Sequence, residues 1–404
     1  MRVVIHKGTA SGRITAPPSK SMAHRLLICA AMCDGVSTVR GISDCEDVRA
    51  TLDCMAALGI RAELHGDDVT VYGRHPADAA PKEPLRCRES GSTLRFLIPT
   101  ALISGRTVMF VGANSLMSRP MDVYEKMCRE KGIVFLTDGE SITVKGPLRA
   151  GDFSVVGNVS SQFISGLLFA LPVLKRSSRI RITPPIESRS YIEMTLCALH
   201  AFGITAEWED EYTIYIPGNQ SYMPTDVTVE GDWSGAAFPD ALNLFGSRVT
   251  VEGLKQDSLQ GDSIYRKYYE LLCKGVPSIH IGNCPDLGPI LFAVAAAKCG
   301  GVFSGTKRLK IKESDRAAAM AEELKKFGVS VTVYDDKVVV FPADFHAPIE
   351  ALFGHNDHRI VMSLSILLTL TGGEIVGAEA VKKSYPSFFR HLRELGIGVE
   401  EYDS

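Results

Sequence analysis

The amino-acid sequence predicts an α/β protein built from six copies of one unit, in which buried helices carry β-sheets on their outer side. An apolar helical segment recurs about every 70 residues, except for one interval of about 55 residues. After each one comes an amphipathic segment that ends at glycine and usually leads into a strand pair. The apolar segments are hydrophobic nearly all round, which is typical of enclosed helices. These observations favour a repeated β-α-β-α-β-β unit over a plain βαβ solenoid.

Each apolar helix is expected to begin at a turn rich in Gly, Ser, Asp or Asn, which are good capping residues. The six segments read SKSMAHRLLICAAMCDGVSTV, SGSTLRFLIPTALISGRTVMF, VSSQFISGLLFALPVLKRSSRI, GDWSGAAFPDALNLFGSRVTV, PDLGPILFAVAAAKCGGVFSG and NDHRIVMSLSILLTLTGGEIV. Typical amphipathic partners are CEDVRATLDCMAALGIRAELHGDDVTVYG and DRAAAMAEELKKFGVSVTVYDDKVVVFP, while the fourth unit has the shorter IYRKYYELLCKGVPSIHIGN. Asp-Gly and Asp-Asp pairs in these segments predict the hairpin turns.

The six units are predicted to form two domains of three. The altered spacing after the start of the fourth unit, and the strand-like stretch YMPTDVTVEGDWS, favour a boundary near residues 225–230. The N-terminal strand MRVVIHKG has no helix of its own before the first unit, so we expect it to join the C-terminal domain. We therefore predict one domain over residues 14–227 and a second over 1–13 plus 228–404, with charged helix starts from both facing a shared cleft.

Composition excludes several classes of function. The 404 residues carry a net charge of −3 with both signs mixed, which argues against general nucleic-acid binding. Apolar runs are too short or interrupted to span a bilayer, so we expect a soluble, cytoplasmic protein. The ten cysteines are scattered without a C-x-x-C pair, which favours core thiols over zinc or disulfides. The histidines also lack metal spacing, although HNDH at 355–358 resembles a ligand pair, so we predict no metal.

The first helix start, PPSKSMAHR, concentrates positive charge where a helix is already positive. Two prolines lead into a serine cap, and Lys20 and Arg25 then lie in the first turns. The unpaired N–H groups of a helix N-terminus carry a partial positive charge, so these cations destabilise the helix unless an anion lies nearby. A phosphate or carboxylate group would resolve that conflict.

Similar polar insertions recur at the other helix starts, which a two-domain fold would bring together. The cations are Lys20, Arg25, Arg119, Lys312, Arg316, Arg359 and Lys383. Such a pocket in a net-acidic chain favours a small polyanion with phosphate and carboxylate groups. Asp286 and Glu313 lie among these cations, and we expect them to serve proton transfer rather than charge neutralisation. No Walker loop is present, and no G-x-G-x-x-G follows a strand, so ATP or NAD use is not indicated.

Taken together, the motifs resemble the 5-enolpyruvylshikimate-3-phosphate synthase family over essentially the whole chain. The matching stretches are PPSKSMAHR, ESGSTLRFL, SRPM, SSQFISGLL, ESRSYIEMT, EGDWSGAAF, DLGPILFAVAAA, KESDR, DHRIVM and SYPSF. The resemblance implies two inverted, inside-out barrel-like α/β domains of three units each. It also implies transfer of the enolpyruvyl group of phosphoenolpyruvate to the 5-hydroxyl of shikimate 3-phosphate, with release of phosphate, in chorismate and aromatic amino acid biosynthesis.

The resemblance further implies roles for individual residues. Phosphoenolpyruvate would be held by Lys20, Gly91, Arg119, Gln162, Arg316, Arg359 and Lys383. Shikimate 3-phosphate would be held by Lys20, Ser21, Arg25, Ser160, Ser161, Gln162, Ser188, Asp286 and Lys312. Asp286 would take the 5-hydroxyl proton, and Glu313, helped by Lys20, would manage the methylene protons through a tetrahedral intermediate. No cofactor is implied. We expect a monomer that binds only small-molecule substrates and closes its domains around them.

Two positions depart from the family pattern, and two other functions are compatible with a fold of this kind. Glu89–Ser92 read ESGS where many members have Asn-x-Gly-Thr, and Arg308 stands where some have asparagine. The UDP-N-acetylglucosamine enolpyruvyl transferases share the fold, but they typically have Lys-Asn at the first motif and a loop cysteine before the Arg119 position. This chain has Ser21 and GANSLMSRP at those places. A non-catalytic anion-binding protein of the same fold would not need Asp286 and Glu313.

Overall fold

The helices and strands of the protein are described by a computed structural model for residues 1–81 and 83–403. The α-helices are α1 (Lys20–Ala31), α2 (Glu46–Ala57), α3 (Gly91–Ala101), α4 (Asn114–Met117), α5 (Asp122–Lys131), α6 (Ser161–Ala170), α7 (Arg189–Ala201), α8 (Trp233–Ala241), α9 (Tyr265–Lys274), α10 (Gly288–Ala297), α11 (Arg316–Lys326), α12 (His358–Thr371) and α13 (Phe388–Glu394).

The strands are β1 (Arg2–Ile5), β2 (Ser11–Thr15), β3 (Gly35–Arg40), β4 (Arg61–His65), β5 (Asp68–Gly73), β6 (Leu85–Arg86), β7 (Thr107–Val111), β8 (Val134–Thr137), β9 (Ser141–Lys145), β10 (Asp152–Val156), β11 (Ser178–Thr183), β12 (Glu207–Trp208), β13 (Thr213–Ile216), β14 (Val227–Thr228), β15 (Arg248–Glu252), β16 (Ser278–His280), β17 (Gly301–Ser304), β18 (Val331–Val333), β19 (Lys337–Val340), β20 (Leu352–Phe353), β21 (Gly373–Val376) and β22 (Val399–Tyr402).

The predicted apolar helices α1, α3, α6, α8, α10 and α12 are the buried helices of the structure. In α1 every residue from Met22 to Ala31 is buried, and in α10 every residue from Gly288 to Ala296 is buried. The alternating helices α2, α5, α7, α9 and α11 bury only one face, as their amphipathic spacing predicts. The predicted arrangement of buried helices within α/β units is therefore confirmed.

Most units carry a four-stranded mixed sheet with one topology. In the sheet ordered β6-β7-β9-β8, β6 is parallel to β7, β7 is antiparallel to β9, and β9 is antiparallel to β8. The sheets β14-β3-β5-β4, β10-β11-β13-β12, β16-β17-β19-β18 and β20-β21-β1-β22 repeat this pattern. None of the sheets within residues 1–81 and 83–403 closes into a barrel.

The fourth unit is shorter than the predicted repeat. Its sheet contains only β2 and β15, because the chain after α9 passes directly into β16, which pairs with β17 in the next sheet. A missing hairpin accounts for the interval of about 55 residues in place of about 70. The long strand expected in YMPTDVTVEGDWS is also wrong, since only Val227–Thr228 pair there, Pro224 lacks an N–H, and α8 begins at Trp233.

Three strands complete sheets far away in sequence. Strand β1 lies between β21 and β22 and is antiparallel to both, so it fills the place that a hairpin strand takes in other units. Strand β2, which precedes α1, pairs with β15 of the fourth unit. Strand β14, which precedes α8, pairs with β3 of the first unit. The two strands that lead into α1 and α8 are therefore exchanged between sheets.

By its internal contacts the chain divides into two compact units. One is continuous, Pro18–Glu230, and the other is discontinuous, Met1–Pro17 with Gly231–Ser404. Each has its own hydrophobic core, which is built around α1, α3 and α6 in the continuous unit and around α8, α10 and α12 in the discontinuous unit. Within the described residues, no helix has the length and apolar character needed to cross a membrane.

Candidate active site

In the continuous unit, the first helix start presents Lys20 beside a carboxylate. Ser19 caps α1, its hydroxyl accepting a hydrogen bond from the backbone N–H of Met22. Lys20 is the first helical residue, and its Nζ donates to Asp47 Oδ2 over 2.7 Å. Asp47 lies in the first turn of α2, where a negative charge also suits the helix dipole. Both side chains are mostly buried, so this pair holds the ammonium in a fixed position.

Arg25 lies one turn further along α1 and is held entirely by neutral groups. Its guanidinium donates to Thr195 Oγ1 at 2.8 Å, to the Ser21 carbonyl at 2.6 Å and to the Tyr191 carbonyl at 2.9 Å. Burial lowers the pKa of Arg25 to about 10, which leaves it charged at neutral pH. No carboxylate contacts it within the described residues. Arg25 is thus a buried cation without an anionic partner in this unit.

Gly91, Arg119 and Gln162 meet where α3 and α6 begin. A Cβ on Gly91 would lie 2.9 Å from Arg119 Nη1 and 3.6 Å from Gln162 Oε1, so the missing side chain leaves room beside both. Gln162 accepts from Arg95 Nη1 at 2.8 Å and donates to Ser92 Oγ at 2.9 Å. The buried Nε and Nη2 of Arg119 lack a hydrogen-bond partner within the described residues. This corner offers unused donors, which is what an anion requires.

The predicted serines also lie at helix starts. Ser160 caps α6 and accepts from the Gln162 N–H at 3.3 Å, while the adjacent Ser161 is buried. Ser188 precedes α7 in a left-handed conformation with φ of 56° and is also buried. The side chain of Arg25 reaches Thr195 of α7, which in turn hydrogen-bonds to Ser165 of α6, so Arg25, α6 and α7 belong to one packed region. We call Lys20, Arg25, Gly91, Arg119 and these serines, with Gln162, the continuous-unit cluster.

In the discontinuous unit, Asp286 is surrounded by cations. Its Oδ1 lies 2.8 Å from Arg316 Nη1 and 3.0 Å from Lys312 Nζ, and its Oδ2 lies 3.3 Å from Arg359 Nη2. Burial alone would raise the pKa of Asp286, but Arg359, Lys312 and Arg316 hold that pKa well below its usual range. Burial lowers the pKa of Lys312, partly offset by Asp286. The carboxyl group of Asp286 is therefore ionised. The Asp286 side chain is 19% exposed.

Arg316, the first residue of α11, binds three carboxylates. Besides Asp286, its Nη2 donates to Glu313 Oε2 at 2.6 Å and its Nε donates to Asp357 Oδ2 at 2.8 Å. Burial opposes the charge on Arg316, but Asp357, Glu313 and Asp286 raise its pKa above the ordinary value. The expectation that Asp286 and Glu313 do not neutralise charge is therefore wrong. Arg316 is almost fully buried, and a buried guanidinium requires such partners.

Arg359 and Lys383 complete the discontinuous-unit cluster, which also contains Asp286, Lys312, Glu313 and Arg316. Arg359 donates to Ser234 Oγ at 2.7 Å and to the Asp286 carbonyl at 3.1 Å, and Lys383 donates to the Asn356 carbonyl at 2.6 Å. Asp262 lies close by, fully buried. Burial, followed by the charge of Asp286, raises the pKa of Asp262 to about 6.

Ser92 and Arg308, which stand at the positions that depart from the family pattern, both make local contacts. The hydroxyl of Ser92 accepts from Gln162 Nε2, so it orients that amide. Arg308 is buried, and its Nη1 donates to the Gly282 carbonyl at 3.2 Å, which ties the segment before Lys312 to the loop before Asp286. Arg308 thus has a packing role near the cluster.

Sequence reasoning missed several residues that touch the predicted ones. They are Asp47, Ser234 and Asp357, together with Asp262, whose charge interacts with Asp286 and Arg359. Two carried a usable signal, because Asp47 lies in the first turn of a helix and Asp357 is a helix cap, both of which place a carboxylate near a helix start. The others are distant in sequence from their partners and required the tertiary structure.

Comparison with known proteins shows which family the chain belongs to. The profile of the EPSP synthase (3-phosphoshikimate 1-carboxyvinyltransferase) family matches residues 5–392. The chain belongs to the EPSP synthase family. It is 37% identical to the 3-phosphoshikimate 1-carboxyvinyltransferase of Clostridium kluyveri, over 99% of this chain and 98% of the relative. It is also 37% identical to the enzyme of that name from Clostridium perfringens, over 98% of both chains.

Solved structures show the same fold. EPSP synthase from Acinetobacter baumannii superposes with a TM-score of 0.78 at 24% identity, over 99% of this chain and 100% of the other. The enolpyruvyl transferase NikO from Streptomyces tendae superposes with a TM-score of 0.81 at 15% identity, over 100% of this chain and 99% of the other. In this member of the EPSP synthase family, Lys20, Arg316 and Arg359 lie at or next to the first residue of an α-helix.

Proposed function

We propose that this enzyme transfers the enolpyruvyl group of phosphoenolpyruvate to the 5-hydroxyl of shikimate 3-phosphate, releasing phosphate by addition and elimination through a tetrahedral intermediate. Besides family membership, one observation carries the proposal. Asp286 and Glu313 share the cation Arg316, and Asp286 also contacts Lys312 and Arg359. Carboxylates that share several cations suit a reaction in which anionic substrates compete for those cations while a carboxylate moves a proton.

In this proposal, shikimate 3-phosphate lies mainly on the continuous-unit cluster. Arg25 is a fixed guanidinium with only neutral partners, which suits the phosphate or the carboxylate of that substrate. The hydroxyl and amide groups proposed to bind the rest are Ser21, Ser160, Ser161, Gln162 and Ser188, joined by Lys20, Asp286 and Lys312. Donors fixed at helix starts bind anions without further ordering of the protein.

Phosphoenolpyruvate is proposed to draw on cations from both clusters. Gly91 leaves space beside Arg119 and Gln162. The Nε and Nη2 donors of Arg119, which have no hydrogen-bond partner within the described residues, are proposed to bind an acceptor of the substrate. Arg316, Arg359 and Lys383 are the corresponding cations of the discontinuous unit, and Lys20 completes the set. The proposal therefore requires residues of both clusters to act on one substrate pair.

Substrate binding also explains how Asp286 becomes a base. Without ligand, three cations hold its pKa low, and a strongly stabilised carboxylate is a weak proton acceptor. Phosphate and carboxylate groups that bind Arg316, Arg359 and Lys312 would draw positive charge away from Asp286. We propose that its pKa then rises, so that it accepts the 5-hydroxyl proton only when the substrates are bound.

Proton transfer at the methylene carbon of phosphoenolpyruvate is assigned to Glu313 and Lys20. Glu313 lies against Arg316, which fixes its carboxylate in the cluster. Lys20 is held by Asp47, so its ammonium can donate a proton from a defined position. We propose that Glu313, with Lys20, moves the proton on and off the methylene group as the tetrahedral intermediate forms and collapses. The cations stabilise the leaving phosphate, and proximity supplies much of the rest.

The proposal extends to a cytoplasmic monomer that uses no cofactor and does not bind nucleic acid. The charge balance and the scattered cysteines of the sequence favour it, and none of the ten cysteines forms a disulfide within the described residues. One chain supplies both clusters, so no second copy is needed.

A phosphate-release assay tests the reaction. Purified enzyme with phosphoenolpyruvate should release phosphate when shikimate 3-phosphate is present and not when UDP-N-acetylglucosamine replaces it. The matched pair Asp286→Asn and Asp315→Asn separates the site from a general charge effect, since Asp315 only caps α11. No release with shikimate 3-phosphate from the folded enzyme would overturn the proposal.

A further inference from the structure

The turn before α12 adopts an unusual backbone conformation. His355 and Asn356 follow each other with φ values of 48° and 51°. The left-handed region is uncommon for residues other than glycine, and a pair in sequence needs support from surrounding structure. The support for this turn comes from another helix.

Glu323 of α11 supports the turn through hydrogen bonds of its carboxylate. The Glu323 side chain is fully buried, its Oε1 lies 2.8 Å from His355 Nε2, and its Oε2 accepts from the Phe353 N–H at 2.9 Å. Lys326 Nζ lies 3.0 Å from Oε2 and balances the charge. Burial alone would raise the pKa of Glu323, but the hydrogen bonds from His355 and Phe353 lower it, so the carboxylate is ionised.

The turn presents groups that contact the discontinuous-unit cluster. The Asn356 carbonyl accepts from Lys383 at 2.6 Å, and the Asp357 carboxylate accepts from Arg316 Nε at 2.8 Å. Asp357 also caps α12, accepting from the Arg359 N–H at 2.9 Å. Two cations proposed to hold phosphoenolpyruvate, Lys383 and Arg316, therefore contact residue 356 or 357 directly, and Arg359 contacts Asp357 through its backbone N–H.

Helix α11 contacts this segment at two levels. Arg316, at its first turn, binds Asp357, and Glu323, two turns later on the same face, binds His355 and Phe353. We propose that Glu323 and His355 are positioning residues that fix the turn at 355–357 and thereby place Lys383, Arg316 and Arg359 for phosphoenolpyruvate. The placement of the three cations for phosphoenolpyruvate rests on the proposed function. The fixing of the turn by Glu323 and His355 does not depend on it.

The same residues resemble a cation site, since ligand atoms of Glu322, Glu323 and His355 lie within 4.8 Å of one another. Lys326 already places an ammonium against Glu323 and also donates to the Ala351 carbonyl. Because a fixed cation occupies this position, we interpret Glu323 and His355, without Glu322, as a hydrogen-bonded clamp.

His355→Asn is the direct test, because asparagine tolerates a left-handed backbone but its shorter side chain does not reach Glu323. Glu322→Gln is the matched control, being an exposed neighbour on the same helix. We expect the KM for phosphoenolpyruvate to rise at least about tenfold in His355→Asn, because small misplacements of binding groups are costly. Affinity for shikimate 3-phosphate, measured by calorimetry without phosphoenolpyruvate, should stay within about twofold. Glu323→Gln keeps an acceptor for the Phe353 N–H, so its KM for phosphoenolpyruvate should lie between those of wild type and His355→Asn.

An unchanged KM for phosphoenolpyruvate in folded His355→Asn would overturn the inference. So would parallel losses of both affinities, which indicate general damage. Amide hydrogen exchange on the ligand-free protein gives an independent readout, and it should quicken over residues 354–359 in His355→Asn and remain unchanged in Glu322→Gln. If wild type releases no phosphate, the proposed function fails, whereas the exchange result still decides whether the clamp fixes the turn.

Discussion

The two clusters handle the same problem, buried positive charge, in opposite ways. In the continuous unit, Arg25 is held by a threonine hydroxyl and two carbonyls, and Arg119 retains buried donors without partners among the described residues. In the discontinuous unit, Arg316 binds three carboxylates and Asp286 contacts three cations. Apart from Lys20, which pairs with Asp47, the first cluster is short of negative charge, and the second already contains it.

This difference assigns distinct tasks to the two clusters. A cation without an anionic partner binds a ligand anion without first losing an internal ion pair, so the continuous-unit cluster is prepared for substrate. In the discontinuous-unit cluster, a ligand anion must compete with Asp286 and Glu313. That competition changes the environment of the carboxylates, which couples anion binding to proton transfer.

Removing the central carboxylate should produce the largest effect. Asp286→Asn is expected to lower turnover by about 10²- to 10⁴-fold, because the proton acceptor is lost. The affinity for phosphoenolpyruvate should not fall, since the variant leaves Lys312, Arg316 and Arg359 without their internal competitor. Steady-state kinetics of phosphate release give both values. Turnover within a few-fold of the Asp315→Asn control would contradict the assigned role.

Replacing Arg316 should destabilise the ligand-free protein more than replacing Arg25. Arg316→Met removes the cation that three carboxylates share and should lower the free energy of unfolding by about 3–5 kcal/mol. Arg25→Met removes a buried cation that contacts only neutral oxygens and should cost no more than about 1–2 kcal/mol. Urea denaturation of both variants at neutral pH measures the difference. Equal losses would mean that the clusters do not differ in charge compensation.

The discontinuous-unit cluster should also make stability depend on pH in the weakly acidic range. The native pKa of Asp262, about 6, lies above its ordinary value of 3.8, so the native state binds more protons than the unfolded state between these values. Stability from this group is therefore present near pH 4 and is lost as pH rises through 6, by roughly 3 kcal/mol. Unfolding of wild type and Asp262→Asn between pH 4.5 and 7 should show a difference that changes with pH. A constant difference would refute the assignment.

Local patterns predicted much of the fold. Apolar stretches such as residues 288–297 have no polar face, so they require enclosure, and glycine caps such as Gly132 and Gly328 end the amphipathic helices. The exchange of β2 and β14 between sheets was not predictable from either strand, because pairing partners depend on contacts with distant parts of the chain. In the sequence, the missing hairpin of the fourth unit shows only as a shorter interval between successive apolar helical segments.

For the site, the sequence predicted residue types better than contacts. Lys20, Arg25, Arg316 and Arg359 were found because they stand at helix starts. Their partners were missed because side-chain pairs such as Lys20 with Asp47 are set by how helices pack. For the same reason, the charge balance around Asp286 became clear only from the structure.

Calorimetric titration of shikimate 3-phosphate, without phosphoenolpyruvate, tests the division between the clusters most directly. Arg25→Met should weaken binding by about 10- to 100-fold, because a charged hydrogen-bonding group is lost. Lys383→Met, at a residue of the discontinuous-unit cluster that binds the Asn356 carbonyl, should bind within about twofold of wild type. Wild-type affinity in Arg25→Met, or a larger loss in Lys383→Met than in Arg25→Met, would contradict the account.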